Sequence, residues 1–531
     1  MSKNEKMSRK NFLKTAGAFS VSAAAASMLS GCKSGGGDVS WDREVDVVVL
    51  GSGTGMMAAI RAAEQGLDTL VLEKAAVAGG TTGISGGGIY IPNNYVMEEM
   101  GIDDSREEAL TYLEHATFGQ GDMDLLEVYV DNCNDVVQYM RDNGVEEWSV
   151  SGMFQDYYPN FPGGKANGRN IGPVSDIEGV GGGGYLIQKL QAAAEDHGAE
   201  FLFSTAGQHL IVEDGRIVGV QAESDGDELF VKANVGVVLA TGGYDHDEEM
   251  TNHFHRGPLH FSAGVQGNTG DGQKMAMEVG ANLRNMNECW GAPGYFHEGN
   301  ESYIVDWAME RGKPGAIIVN KHGERFLNES ASYDAVGRSF YHYDSGANEF
   351  RNIPGYTIID SAFRERYTLL YTPPGQDLPD FVAQGDSIRE LAENLEIDPD
   401  GLEATVENFN QNAREGVDPE YLRGESAFDT STGGDPSRDD LENVCLAPLE
   451  TPPYYGLAIW PGTIGTNGGA HINSDAQVLT PFGETIPGLY AVGNACGSPF
   501  GAGYAGGGCT VGSGLVFSYL AANHMASQQE S

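Results

Sequence analysis

The sequence is poor in cysteine, in basic residues and in long apolar runs, and each shortage excludes a class of protein. No two of its six cysteines are spaced as CxxC, and none begins a CxxCH motif. The chain therefore has no attachment motif for c-type haem, and the cysteine spacing gives no support to an iron–sulfur cluster. We predict no metal site. The cysteines are Cys32, Cys133, Cys289, Cys445, Cys496 and Cys509.

Basic residues are outnumbered: 31 Lys and Arg stand against 76 Asp and Glu, which gives a formal charge of −45. Proteins that bind nucleic acid neutralise phosphates with clustered Lys and Arg, so we expect no nucleic-acid partner. We interpret the excess charge as an acidic, solvated surface. With 531 residues, 40% of them hydrophobic, the chain is long enough for two or three domains with a large core.

The apolar stretch at residues 16–29 is too short to span a bilayer. It follows a basic segment, which is the order of an export signal. Residues 8–14 resemble a twin-arginine signal in which Lys10 replaces the second Arg, and residues 29–32 (Leu-Ser-Gly-Cys) resemble a lipobox. We expect residues 1–31 to be removed, Cys32 to be acylated, and residues 32–43 to tether an extracytoplasmic, membrane-anchored chain. The alternative is an ordinary secretion signal that is cut nearby.

Glycine, in contrast, is abundant, with 75 residues, and the first cluster lies within one βαβ pattern. The apolar runs at 45–50 and 69–72 predict buried parallel strands, and residues 57–63 predict the helix between them. The first strand and the helix are joined by Gly51, Ser52, Gly53, Thr54 and Gly55.

This turn has the chemistry of a dinucleotide site. Its glycines permit a tight turn and close approach of the backbone to a pyrophosphate, which the helix N-terminus attracts. Glu73, 22 residues after Gly51, stands where an acid accepts ribose hydroxyls. The third fingerprint position is Met56, preceded by Gly55, so we expect the helix to pack slightly differently from the usual arrangement.

A second glycine-rich stretch, residues 79–94, distinguishes FAD from NAD. Its Ser-Gly-Gly-Gly run closing in Ile-Pro-Asn-Asn resembles the matching loop of the 3-ketosteroid Δ1-dehydrogenases, flavoproteins of the wider fumarate reductase and succinate dehydrogenase superfamily. The resemblance covers nearly all of residues 44–531 and is weakest between 370 and 445. In this loop the predicted FAD-binding residues are Gly80, Thr81, Thr82, Ser85, Gly86 and Gly87.

The resemblance implies an α/β fold with an α+β cap. An FAD-binding, two-dinucleotide-fold (Rossmann-like) domain would comprise residues 44–285 and 454–531, with a catalytic capping domain inserted at 286–453. The segment after residue 285 is rich in aromatic residues, which could present an apolar wall to a flat substrate. The further residues that we expect at the cofactor are Lys74, Gly242, Asp271, Gly493 and Asn494.

Two tyrosines and a glycine are the predicted catalytic residues. Tyr333 lies five residues after Asn328, at a position where fumarate-reducing relatives carry Arg; the resemblance implies that it exchanges a proton with the carbon next to a ketone. Tyr504 and Gly508 match the family pair that holds the substrate carbonyl in a small oxyanion hole. The family reaction interconverts C=C–C=O with its saturated form, with hydride from the flavin. A phenol of ordinary pKa, about 10, is a better proton donor than base, which favours reduction.

We therefore predict a FAD-dependent ene-reductase for steroid-like or other bulky enones. The family also contains gut-bacterial enzymes of comparable exported layout that reduce the unsaturated lactone of cardiac glycosides, and a reductase of that kind is a specific candidate. The alternatives are a 3-ketosteroid Δ1-dehydrogenase in the oxidative direction, a reductase of small unsaturated acids such as fumarate or urocanate, and a non-catalytic lipoprotein that binds flavin or steroid. Tyr333 in place of Arg argues against small acids, because a carboxylate substrate requires a cation. Without a second nicotinamide fingerprint, we expect electrons from a membrane cytochrome or quinol-linked donor, as in anaerobic respiration.

The remaining pattern predicts several local elements. Asp214-Gly215 indicates a hairpin, residues 150–184 indicate a long ordered loop, and Cys133 falls on the apolar face of a helix. Glycine stops and apolar periodicity predict helices at 105–116, 124–142, 185–197, 271–280, 387–395, 401–414 and 511–524.

Overall fold

The computed structural model describes residues 39–151, 156–296, 303–307 and 310–529. The predicted export signal and the predicted lipid attachment site at Cys32 lie outside the described residues. Within the described ranges, no helix is long and apolar enough to cross a membrane.

A mixed sheet with a parallel centre organises the fold. Its middle strand, Arg43–Leu50, pairs with Asp227–Leu239 on one side and with Thr69–Leu72 on the other. Val47 to Leu50 are buried, as expected of a central parallel strand. The remaining strands of this sheet are Glu200–Leu202, Thr205–Glu213, Arg216–Ser224, Gln477–Leu479 and Thr485–Ala491.

Three of the parallel strands end side by side. Leu50 is in register with Leu239, and Leu239 with Ala491. Parallel strands have their carboxyl ends at the same edge of a sheet, so the loops that follow these three residues meet there. In this way the fold joins segments that are more than 400 residues apart in the chain.

A second, antiparallel sheet has most of its strands in the segment predicted as the cap, and two clusters of buried apolar side chains pack around it. Tyr454–Thr466 pairs with Gly355–Asp360 and with Cys289–Phe296, so this sheet continues past the predicted boundary at residue 453. The strands, in spatial order, are Tyr303–Val305, Cys289–Phe296, Tyr454–Thr466, Gly355–Asp360 and Ala316–Val319, with Ala383–Gly385 also on Tyr454–Thr466.

The helices and the smaller sheets fill the space around these two sheets. Ile89–Tyr90, Asn170–Pro173 and Trp148–Val150 form a three-stranded sheet; Leu283–Arg284 pairs with Gly469–Ala470, and Tyr343–Asp344 with Glu349–Phe350. The α-helices are Met56–Glu64, Gly80–Ile84, Tyr95–Glu99, Arg106–Ala116, Met123–Asp142, Gly182–Asp196, Glu248–Phe254, Asp271–Glu278, Tyr333–Ser339, Ser361–Arg366, Ile388–Asn394, Pro399–Arg414 and Cys509–Gln529; Asp429–Gly433 is a π-helix and Gly493–Ala495 a 3₁₀-helix.

Each predicted helix is present, with ends that differ by a few residues. Ser105 and Ser387 fix two of the starts, since their side chains accept a hydrogen bond from the third backbone N–H of the helix. The hairpin at Asp214 is confirmed, and Cys133 is fully buried. The segment 150–184 is not all loop, because it contains the strand Asn170–Pro173.

Candidate active site

The glycine turn after strand Arg43–Leu50 lies tightly against the neighbouring strand end. Gly51 has a φ of +102°, and a Cβ there would lie 2.4 Å from the carbonyl oxygen of Ala240. A Cβ on Gly55 would lie 2.6 Å from the Cβ of Ala240. Gly55 therefore allows the helix to pack closely against the neighbouring strand, which is the role of the third glycine of the fingerprint. Met56, at that third position, is buried with its full-sized side chain.

Glu73, the predicted ribose ligand, is buried and braces this turn. One carboxylate oxygen accepts the Ser52 backbone N–H at 3.0 Å and the Ser52 hydroxyl. The other accepts the Ala75 N–H at 2.7 Å. A carboxylate oxygen has two lone pairs, so the oxygen bonded to Ala75 retains capacity for a ligand hydroxyl.

The loop after Glu73 is organised by its hydroxyl groups. Thr81 Oγ1 accepts from Asn268 Nδ2 at 3.0 Å, and the buried Thr82 lies beside Gly53. Ser85 Oγ donates to the Thr82 carbonyl at 2.7 Å and accepts from the Gly87 N–H at 3.1 Å. A Cβ at Gly80 or Gly86 would meet no atom within 4 Å, whereas one at Gly87 would overlap the backbone of Gly182.

Lys74 and Asp271 form an ion pair at 2.9 Å, and Lys74 Nζ also donates to Thr269 at 2.7 Å. This pair links the end of strand Thr69–Leu72 to the start of helix Asp271–Glu278. Both side chains are partly exposed, so the ion pair itself contributes little stability.

The loops that follow the other two strand ends, Leu239 and Ala491, lie next to the glycine turn. Together with that turn they form a glycine-rich cradle. Gly242 has a φ of +79°, and Gly493 has a φ of +60° with a would-be Cβ 2.6 Å from Thr54 Oγ1. Gln273, which no sequence pattern indicated, is fully buried and donates to the carbonyl of Asn494 at 2.8 Å. Its Oε1 has no hydrogen-bond partner among the described residues. A buried unpaired acceptor is costly; together with the glycine cradle it fits a large polar ligand such as FAD.

The two predicted catalytic tyrosines meet. Tyr333 begins helix Tyr333–Ser339, which Ser332 caps, and Tyr504 precedes the C-terminal helix. The Tyr333 hydroxyl donates to the Tyr504 hydroxyl at 3.0 Å, and both residues are at most 4% exposed. Burial raises the pKa of both phenols well above their ordinary value, so both are protonated at neutral pH.

Gly508 joins this pair to the cofactor loop. With a φ of +86°, it lies so close to the loop that a Cβ would be 2.6 Å from the carbonyl oxygen of Gly88. Its own carbonyl accepts the Tyr90 N–H at 3.2 Å. The structure thus brings Tyr333 and Tyr504 together and packs Gly508, four residues after Tyr504 in the chain, against the predicted FAD-binding loop.

Aromatic rings enclose the tyrosine pair. Tyr157 lies 5.4 Å from Tyr333 and 5.2 Å from Tyr504 between ring centroids, and Trp307 lies 5.2 Å from Tyr333. Trp290 lies 4.7 Å from Tyr504 and donates to Asn494 Oδ1 at 3.1 Å, which connects the aromatic wall to the cofactor cradle. Tyr157 was missed because residues 150–184 predicted only loop; the adjacent tyrosines 157 and 158 were the available signal.

Asp334, which follows Tyr333 in the chain, carries a buried carboxylate. Asp334 accepts the Gly291 N–H at 3.0 Å and Arg338 Nε at 2.8 Å. Arg338 also bonds Glu288 at 3.1 Å. The charge of Arg338 is therefore already balanced by two carboxylates.

The described part of the chain contains no group of three His, Cys, Asp or Glu side chains that could hold a metal ion, and its five cysteines are free and buried.

This fold and this cradle define a flavoprotein, and the chain belongs to the FAD-binding domain family, whose model matches residues 46–511. It is an FAD-dependent oxidoreductase that acts on CH–CH groups. It is 35% identical to 3-oxosteroid 1-dehydrogenase of Mycobacterium tuberculosis H37Rv, over 92% of this chain and 99% of the relative. It is 30% identical to urocanate reductase of Eggerthella lenta, over 91% of this chain and 75% of that protein.

A solved structure is also similar. The crystal structure of 3-ketosteroid Δ1-dehydrogenase from Sterolibacterium denitrificans, in complex with 1,4-androstadiene-3,17-dione, matches with a TM-score of 0.84 and 31% identity. The match covers 92% of this chain and 100% of that one. The steroid-dehydrogenase-like branch expected from the glycine loop is thereby confirmed.

Proposed function

We propose that this enzyme reduces the C=C bond of an α,β-unsaturated ketone in a bulky ring system such as a 3-ketosteroid. The observation that carries the proposal is the hydrogen-bonded pair of buried phenols, Tyr333 and Tyr504, in an aromatic enclosure. The similarity to enzymes named for 3-oxosteroids supports the substrate class.

Each residue of this group has a distinct task. Tyr504 donates its hydroxyl proton in a hydrogen bond to the substrate carbonyl oxygen, together with the Gly508 N–H, and the two donors stabilise the negative charge that develops there. Tyr333 holds the proton that passes to the α-carbon. FAD, when bound and reduced by the electron donor, would supply the hydride for the β-carbon. The surrounding rings exclude water, which strengthens both hydrogen bonds.

The protonation state of Tyr333 supports the reductive direction. Because burial raises the pKa of this phenol, its resting form carries the proton that reduction consumes. Oxidation would instead require Tyr333 to accept a proton as phenolate. The second candidate, Δ1-dehydrogenation of a 3-ketosteroid, is favoured by the name of the Mycobacterium relative, and the same residues would serve it in reverse.

The charges around Tyr333 favour a neutral substrate. Arg338 is engaged by Asp334 and Glu288, so it is a poor ligand for a substrate carboxylate. Reductases of small unsaturated acids need such a cation. We therefore expect fumarate and urocanate to be far poorer substrates than a steroid enone, despite the similarity to urocanate reductase.

We propose that electrons arrive from a membrane cytochrome or quinol-linked partner. The prediction is slow or absent turnover with NADH and fast turnover with a reduced viologen, at equal donor concentration and with 1,4-androstadiene-3,17-dione as acceptor. A steady-state assay under argon measures both rates. If NADH alone sustains turnover near the viologen rate, the respiratory arrangement is wrong. A partner's docking face should not be acidic, since this chain carries −45.

We also propose that acylated Cys32 anchors the exported chain to the membrane. Cys32→Ser should move the protein from the membrane fraction to the soluble extracytoplasmic fraction, while the specific activity per FAD stays unchanged. Fractionation followed by immunoblotting measures this. Cys133→Ser, at a buried core cysteine, is the matched control and should leave the distribution as it is. Equal membrane fractions for Cys32→Ser and the unmodified chain would contradict the lipid anchor.

A further inference from the structure

We propose that Asp156 is a positioning residue that fixes the segment 504–508 and thereby sets how strongly Tyr504 and Gly508 stabilise a charged carbonyl oxygen. This inference rests on the proposed function of that pair. Asp156 does not reach the reacting atoms; it acts through the backbone between the two donors.

The backbone of Asp156 pairs with that segment directly. Asp156 and Gly506 form a single antiparallel bridge, and the Tyr157 N–H donates to the carbonyl of Ala505 at 2.9 Å. Ala505 and Gly506 lie between Tyr504 and Gly508 in the chain. A shift of residue 156 would therefore move the hydroxyl and the N–H relative to each other.

The side chain of Asp156 is held by three donors in a site that excludes water, being 1% exposed. It accepts the Tyr90 hydroxyl, an Arg169 N–H and the Lys165 backbone N–H, each at 2.8 Å. Burial raises the pKa of this carboxyl to about 6, against the opposing effect of Arg169. At slightly alkaline pH it is therefore the charged partner of Arg169.

Tyr90 links the Asp156 side chain to the backbone of Gly508. Its hydroxyl bonds Asp156, while its backbone N–H donates to the carbonyl of Gly508 at 3.2 Å. Arg169 adds a second support, because its guanidinium lies 5.3 Å above the ring of Tyr112, whose hydroxyl donates to the carbonyl of Ala505. Ala505, Gly506 and Gly508 are thus each tied to the Asp156–Arg169 pair or to a residue that contacts it.

The exact positions of Tyr504 and Gly508 should affect the binding of a ligand with a charged oxygen more than that of a ligand with a neutral one. Hydrogen bonds to an anion are shorter and about twice as strong as neutral ones. A small displacement of Tyr504 or Gly508 therefore weakens an enolate-like ligand more than a ketone. A residue that only maintained the fold would weaken both ligands alike.

The experiment compares Asp156→Asn with Asp104→Asn in the FAD-loaded enzyme. Asp104 binds the opposite side of Arg169 through two hydrogen bonds, at 2.8 and 2.6 Å, so Asp104, Arg169 and Asp156 form a buried triad. Asp104→Asn is therefore the matched control for the loss of one negative charge from this triad. The probes are 4-androstene-3,17-dione, a neutral ketone, and a steroid whose A ring is a phenol, which becomes an enolate-like anion on deprotonation. Absorbance titrations give the affinity for each and the pKa of the bound phenol.

We expect Asp156→Asn to retain FAD, to bind the ketone within about twofold of the unmodified enzyme, and to raise the pKa of the bound phenol by about one unit. Its kcat should fall by about 10- to 100-fold. Asp104→Asn should lower the melting temperature but leave the pKa of the bound phenol unchanged. Tyr90→Phe, which removes one donor to Asp156 and keeps the backbone bond to Gly508, should raise the pKa of the bound phenol by a smaller amount.

Two outcomes would overturn the inference. One is a bound phenol with the same pKa in Asp156→Asn and the unmodified enzyme; the other is an equal change in Asp104→Asn, which would mean that the triad only supports the fold. If Asp156→Asn does not fold, Tyr90→Phe decides, and no shift in that variant contradicts the inference. If the unmodified holoenzyme binds neither steroid, the proposed function itself fails, and the inference falls with it.

Discussion

Tyr333→Phe is expected to lower kcat by ~10²–10⁴-fold, the range of a general acid, while FAD content and affinity for 4-androstene-3,17-dione change little. The substitution removes one hydroxyl and keeps the ring, whose contacts with Tyr157 and Trp307 hold the helix start in place. The loss should fall on kcat, because the proton is transferred only in the transition state. Single-turnover kinetics under argon measure this step separately from product release.

Tyr490→Phe is the matched control. Tyr490 is also a buried phenol, but its hydroxyl bonds His524 in the cofactor domain at 2.8 Å, away from Tyr333. Its removal should cost about 1 kcal/mol of stability and leave kcat within about twofold. A Tyr333→Phe enzyme that keeps more than about a tenth of the single-turnover rate would show that another group delivers the proton.

Gly53→Val is expected to abolish FAD binding, with occupancy falling from near one per chain to below about a tenth. A Cβ at Gly53 would lie 3.3 Å from Thr82 Oγ1 and 3.4 Å from the carbonyl of Gly79. These contacts are tight but tolerable for the fold, whereas the branched side chain would fill the space through which a pyrophosphate approaches the backbone. The visible flavin spectrum of the purified protein measures the occupancy.

Thermal unfolding with added FAD separates binding from folding in this variant. A ligand that binds only the native state raises the melting temperature, so FAD should stabilise the unmodified chain and not Gly53→Val. Gly172→Val is the control, because a Cβ at Gly172 in strand Asn170–Pro173 meets no atom within 4 Å. Full FAD occupancy in Gly53→Val would place the pyrophosphate elsewhere.

Local patterns predicted the elements of the cofactor site well. The turn from Gly51 to Gly55, the acid at Glu73 and the strand at 69–72 are all local in sequence, and periodicity together with glycine chemistry is sufficient to place them. The resemblance to a known family then singled out Tyr333, Tyr504 and Gly508; the structure joins the two tyrosines by a hydrogen bond and packs Gly508 against the glycine-rich loop, while their catalytic roles stay a prediction.

The supporting residues could not be predicted in this way. Asp156, Tyr90 and Gln273 acquire their roles through contacts with residues more than 200 positions away, and nothing in their local sequence indicates such partners. The extent of the second sheet was missed for a similar reason. Strand Tyr454–Thr466 pairs with residues 289–296 and 355–360, and register across such distances is not visible in a single sequence.

The most direct test of the proposed function is the flavin spectrum of the holoenzyme under argon during titration with 3-ketosteroids. We predict that 1,4-androstadiene-3,17-dione reoxidises the photoreduced flavin stoichiometrically and faster than 4-androstene-3,17-dione bleaches the oxidised form, while fumarate and urocanate leave both forms unchanged. Faster bleaching than reoxidation would favour the dehydrogenase direction. Rapid reoxidation by fumarate or urocanate with no response to either steroid would contradict the assignment of Tyr333, Tyr504 and Gly508 to a bulky ketone.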